Sequence, residues 1–125
     1  MDYYVTFEIA KKLKEKGFKQ DFNVFGYKLI YSDESTIKFI NDIGAYENEY
    51  FGINIPCPSI SQVLKWLRED KHIHICISYS DNINAMWEYE IILLEGALYQ
   101  NADSAYISYE QAALAGIEYT LDNLI

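Results

Sequence analysis

Apolar residues recur along this chain at two spacings, every three to four positions in some stretches and every second position in others. The change from one to the other is sharpest between Pro58 and Tyr79. Ser59 followed three residues later by Gln62 is a capping-box signature: the serine oxygen accepts from the Gln62 N–H while the glutamine reaches back to the N–H of Ser59. Ile60, Val63, Leu64 and Leu67 then fall at i, i+3, i+4 and i+7, one apolar face of a helix. Trp66 widens that stripe, and Lys65, Arg68, Glu69 and Asp70 cover the wet side. After Lys71 the period becomes two. Ile73, Ile75, Ile77 and Tyr79 point one way, and His72, His74, Cys76 and Ser78 the other.

The rest of the chain follows the same grammar. Thr6 is the N-cap of an opening helix, with Glu8 in its first turn near the positive end of the dipole. Phe7, Ala10 and Leu13 mark its buried side, and Lys11, Lys12, Lys14 and Lys16 its solvated one. Gly17 supplies a left-handed C′ residue, after which Phe18 packs back on the last turn. Asn23 to Tyr31 reads as a strand with Gly26 as a bulge, and Thr36 to Ile40 as a shorter partner across a turn at Ser32 to Ser35. Residues 41–58 mix turn formers with apolar side chains, and Phe51 to Ile55 is the expected strand within them. Pro56 and Pro58 bracket Cys57, force extended backbone, and deliver the chain to the Ser59 cap.

Past a polar loop at Ser80 to Ala85, alternation resumes from Trp87 to Leu94. Pairing Tyr79 with Trp87, Ile77 with Tyr89, Ile75 with Ile91 and Ile73 with Leu93 puts these eight large apolar side chains on one face. A slip of one residue would scatter them over both, so the pattern itself selects this register. The other face then holds His74 near Ile92, Cys76 opposite Glu90 and Ser78 opposite Glu88. Ala105 to Ile107 is a further short strand, and Ser108 with Gln111 forms a second capping box. Leu114, Ile117, Leu121 and Leu124 supply the core stripe of the last helix, while Gly116 and nearby alanines leave room for close packing against a sheet. The predicted class is α+β: a single two-layer domain over residues 1–125, an antiparallel sheet of two hairpins with helices packed on one face.

Composition sharpens this picture. A chain of 125 residues buries roughly two-thirds of its surface on folding, enough for a core without a disulfide or structural metal. No apolar run approaches the ~20 residues of a membrane span, and Met-Asp-Tyr-Tyr lacks the basic and apolar regions of a signal peptide. With Cys57 and Cys76 the only cysteines, a disulfide framework is not expected, and the expected location is a reducing cytoplasm. The net charge of −9 is unevenly spread: residues 79–125 hold eight acids and no Lys or Arg. That segment repels phosphates, so nucleic-acid binding is not expected, despite a helix–strand order that superficially suits a double-stranded-RNA-binding module.

The run Pro58-Ser59-Ile60-Ser61-Gln62-Val63-Leu64-Lys65-Trp66-Leu67-Arg68-Glu69 followed by Ile73-His74-Ile75 resembles a family of small bacterial and prophage proteins with no assigned activity. So does the ending Ser108-Tyr109-Glu110-Gln111-Ala112-Ala113-Leu114-Ala115-Gly116-Ile117 through Leu121 to Ile125, and the similarity touches the opening helix, Ala10 to Phe18. The matching residues are mostly caps and core. What the resemblance implies is therefore a context, an accessory protein of a phage or mobile element, and a fold without a site.

One constellation carries candidate chemistry. His72, His74 and Cys76 alternate along one strand face with Glu90 across from them, a ligand set that suits zinc if three or four donors reach one point. His72 lies at the strand end, and an ordinary cross-strand pair on a wet sheet face is the preferred explanation of His74 and Glu90, so no zinc or other cofactor is expected. Cys76 beside His74 lacks an orienting third group, and no phosphate-binding glycine loop is present, so an enzyme is not expected. The expected function is a non-enzymatic protein-interaction domain, with a protein partner or self-association. Tyr46, Tyr50 and Phe51 are the candidate contact residues, because aromatic rings bring area at little entropic cost. The alternative is an acidic nucleic-acid mimic, which requires Asp81, Glu88, Glu90, Glu95, Asp103, Glu110, Glu118 and Asp122 to share one surface.

Overall fold

Thr6 opens helix α1 (Phe7–Glu15) as a capping residue should: its backbone is extended and its Oγ1 accepts from the N–H of Ile9 at 3.3 Å. These coordinates are a computed structural model, which describes residues 3–19, 27–31, 33–34, 36–41, 55–79, 86–94 and 101–125. The helix closes in a Schellman motif. Phe18 N–H reaches Leu13 O at 3.0 Å and Gly17 N–H reaches Lys14 O at 3.2 Å, with Gly17 at φ 87°. That left-handed turn suits glycine, and it brings Phe18 back under the helix, where it is buried.

The chain forms two compact units, Tyr4–Ser59 and a second made of Met1–Tyr3 with Ile60–Ile125. The first holds α1 and an antiparallel sheet of β1 (Tyr27–Tyr31), β2 (Ile37–Asn41) and β3 (Ile55–Pro56) in the order β2-β1-β3. The expected hairpin is present, with Tyr31 opposite Ile37. The strand expected at Phe51 to Ile55 is observed as the two residues Ile55 and Pro56, which pair with β1; residues 51–54 lie outside the described residues. Proline is tolerated there because β3 is an edge. The Tyr31 ring meets Phe7 edge-on at 5.4 Å between centroids, and its hydroxyl donates to the Val5 carbonyl at 2.6 Å. Cys57 is fully buried beside it. Burial pushes its thiol up to about 11, with hydrogen bonding to Tyr31 working the other way. Burial, followed by the neighbouring Cys57, also drives the Tyr31 phenol well above its ordinary range.

In the second unit, α2 (Ile60–Asp70) begins directly after Ser59, its first N–H donating to Tyr3 O at 2.8 Å. Strands β4 (Ile73–Tyr79), β5 (Trp87–Leu93) and β6 (Asn101–Tyr106) form an antiparallel sheet in that order. The β4–β5 register is the one the apolar pattern selects, from Ile73 opposite Leu93 to Tyr79 opposite Trp87. Helix α3 (Tyr109–Asn123) starts at Ser108, whose Oγ accepts from Gln111 N–H at 3.1 Å. The return bond differs from a standard capping box: Gln111 Oε1 accepts from Ile107 N–H at 3.3 Å, one residue before the cap.

The class is therefore α+β, as expected, but the hairpins belong to two three-stranded sheets instead of one. In the second unit α2 packs on β4, and α3 on all three strands. The buried residues of α3 are Ala112, Ala113, Gly116, Ile117, Thr120 and Leu121. Leu114 and Leu124, expected in the stripe, are only half-buried. The helix turns its small residues inward, and a methyl built on Gly116 would lie 3.0 Å from Ile75 Cγ2. Thr120 is buried among these residues with its hydroxyl donating back to Gly116 O at 2.8 Å, so it leaves no orphaned polar group.

Candidate functional site

Strand alternation gives the β4–β5–β6 sheet two faces of different chemistry. The inner face carries Ile73, Ile75, Tyr89 and Ile91, all buried on the helix side. The outer face carries His74, Cys76, Ser78, Glu88, Glu90 and Ile92, which range from half-buried to exposed. Ser78 donates to Glu88 Oε1 at 3.1 Å across the strands, and Cys76 stands opposite Glu90. The polar face thus has the composition expected of it.

The proposed ligand set does not assemble there. His72 lies outside β4 at φ 58°, in the left-handed region, so it does not continue the alternation that His74 and Cys76 follow. Its carbonyl instead accepts from Leu94 N–H at 2.8 Å, closing the end of the sheet. His74 faces Ile92 across the strands, which leaves Cys76 and Glu90 as the directly opposed pair. Among the described residues no three His, Cys, Asp or Glu side chains converge on a point where a metal ion would sit.

Tyr46, Tyr50 and Phe51 lie outside the described residues. Of the acidic residues, Asp81 and Glu95 also lie outside them, and Asp103 occupies the β6 position opposite Tyr89. Glu88 and Glu90 point to the outer face of the sheet. Glu118 and Asp122 ride on α3, which covers the inner face, on the side of the helix away from its buried residues. These carboxylates therefore occupy opposite sides of the unit.

Alternation along the strands gives no sign of what lies at the far end of the inner face. There the row of apolar residues runs out from under its cover. Ile73 and Ile75 are buried, Ile77 is half-buried, and Tyr79 is 52 % exposed. Trp87, opposite Tyr79, is half-buried and meets it edge-to-face with centroids 5.2 Å apart and planes at 65°. The first residue of α3 completes the group: the Tyr109 ring meets Trp87 at 5.7 Å and 87°. Tyr109 remains 39 % exposed, and Ile107 just before the helix is 74 % exposed. Tyr106 pairs with Trp87 on β6 and lies 6.0 Å from Tyr89, extending the aromatic surface along the sheet.

The cause of this exposure is local. Helix α3 begins at Tyr109, so its cover of the strands begins at Trp87, and Tyr79 sits beyond it. A bulge between Trp87 and Glu88 in the pairing with β6 adds to the local twist. Edge-to-face contacts hold the three rings in fixed relative positions while leaving ring surface open. A preformed, partly solvated group of aromatic side chains is what docking surfaces offer. Among the described residues, no helix is long and apolar enough to cross a membrane. In comparisons with known proteins, no family model matches the chain, and neither a curated protein nor a solved structure gives a significant match.

Proposed function

We propose that this chain is a non-enzymatic protein-interaction domain, acting as an accessory protein, and that it engages its partner through the rings of Tyr79, Trp87 and Tyr109. The observation that carries this reading is their edge-to-face arrangement with Tyr79 and Tyr109 still open to solvent. Three rigid rings concentrate apolar area while losing few rotamers on binding, which is why such residues dominate the energetics of protein interfaces. A cytoplasmic setting agrees with two cysteines that are both free thiols. The context of a phage or mobile element rests on the sequence resemblance alone.

The test is quantitative affinity capture from native-host extract, comparing the wild-type chain with a Tyr79→Ala, Tyr109→Ala double variant whose circular dichroism matches it. Proteins enriched on the wild type should fall at least about tenfold on the variant, as truncating two hot-spot aromatics predicts. Recovery of the same proteins in the same yield on both baits would refute the reading. Light scattering at two concentrations checks self-association: if the partner is a second copy, the wild type alone should gain mass as concentration rises.

A further inference from the structure

We propose that the three-ring group is a seat for a cation, and that the partner presents an arginine or lysine side chain to it from a positively charged segment. This rests on the interaction reading above and deepens it by naming the chemistry of the partner.

Geometry supplies the first part of the argument. A cation is attracted to the face of an aromatic ring, most strongly to tryptophan, when it approaches within about 6 Å of the centroid. Rings stacked face to face would hide those surfaces from one another. Here Trp87 meets Tyr79 at 65° and Tyr109 at 87°, so the rings stand as walls at steep angles. Tyr79 and Tyr109 keep 52 % and 39 % of their surface exposed, so ring area remains open to an approaching charge.

Charge supplies the second part. None of β4, β5, β6 and α3 contains a Lys or Arg, and residues 79–125 contain none at all. The unit that holds the rings carries eleven acids against three bases, whereas the other unit carries eight against seven. Nearly all of the net charge of −9 thus belongs to the unit that bears the aromatic group. Glu110 directly follows Tyr109 in the first turn of α3. A positively charged segment is steered toward such a surface, and a negatively charged one is turned away.

An internal comparison points the same way. The unit has two tryptophans. Trp66 carries the chain's own Lys71, with Nζ 5.4 Å from the ring centroid. Trp87 is built into elements that have no such cation to offer, and its ring neighbours are tyrosines.

The experiment is selection from a random peptide library displayed on phage, using the full chain as target and the Tyr79→Ala, Tyr109→Ala variant as counter-target. Tyr79→Ala alone serves if the double variant has lost its fold by circular dichroism. Peptides held by the wild type and not by the variant should carry Arg or Lys above the frequency of the starting library. A synthetic representative should bind at least about fivefold more weakly when its key arginine is replaced by citrulline, the neutral isostere. Its affinity should also fall between 0.05 and 0.5 M NaCl, roughly as surface charge interactions are screened. Ring-dependent peptides with no such enrichment and no loss on citrulline substitution would overturn the inference while leaving the interaction reading intact. Finding no ring-dependent peptides would overturn both.

Discussion

Replacing Gly116 by alanine sets two effects of known size against each other. In a helix interior the change should stabilise by about 0.8–1.0 kcal/mol, since alanine loses less backbone entropy and glycine is a poor helix former. Against this, the new methyl would lie 3.0 Å from Ile75 Cγ2 and 3.2 Å from both Cγ and Cδ1 of Tyr89. Neither neighbour is free to retreat. Ile75 is 5 % exposed with a β-branched side chain stiff at χ1, and Tyr89 is 4 % exposed with its ring beside Tyr106. Relief must come from moving α3 off the sheet, and inserting a methylene-sized group into a packed core costs about 1–3 kcal/mol. The net expectation is destabilisation of about 1 kcal/mol.

The assay is urea unfolding followed by tryptophan fluorescence. Both tryptophans, Trp66 and Trp87, belong to the unit that contains Gly116, so the signal reports that unit. A double-mutant cycle makes the cause visible: in an Ile75→Ala background the methyl on residue 116 gains space, so Gly116→Ala should cost less there or stabilise. Should Gly116→Ala raise the urea midpoint of the otherwise wild-type chain, the close approach of α3 to the sheet is not what decides its packing. An unchanged penalty in the Ile75→Ala background would refute the assignment of the clash to Ile75.

Two further outcomes are expected from the cysteines. Cys57, ordinarily ionising near 9, is held up to about 11 by burial, so below pH 9 its contribution to stability is complete, and it is lost as pH rises through 11. The loss should be on the order of 2 kcal/mol in urea unfolding followed by circular dichroism; an identical pH profile in Cys57→Ser would rule the thiol out as its source. Cys76 is exposed and Cys57 fully buried, so a colourimetric thiol reagent should titrate one group rapidly in the native chain and the second only in denaturant. Equal rates for both would contradict the packing around Tyr31.

Wherever local grammar and burial pointed the same way, the sequence was legible. The Gly17 turn, the Ser108 cap and the pairing of β4 with β5 all follow from signals that lie within a few residues, or from a register that only one alignment of apolar side chains permits. Strand β6 was harder to read, since Asn101, Asp103 and Ser104 have little strand propensity. Its place at the sheet edge asks of it only backbone pairing to β5. Alternation alone places His72 in the strand, because a single residue in left-handed conformation leaves no mark on the pattern around it. That the hairpins occupy separate sheets is likewise invisible to periodicity, which fixes the faces of a strand and not its neighbours.

The aromatic group was hidden for a related reason. Alternation assigns Tyr79 and Trp87 to the same side as Ile75 and Ile91, and it says nothing of how far along the strands the helices extend. That length is set by where α3 begins, and its depth by the small residues it turns toward the sheet. Ala112, Ala113 and Gly116 let the helix axis approach closely, and the same approach lays the Tyr109 ring against Trp87 three residues before the first of them. A bulkier residue at 116 would lift the helix and, with it, the third wall of the ring group. The packing that keeps this unit folded and the surface offered to a cationic partner are consequences of one helix-to-sheet distance. A substitution deep in the core at Gly116, remote in sequence from Tyr79, should therefore weaken binding as well as stability.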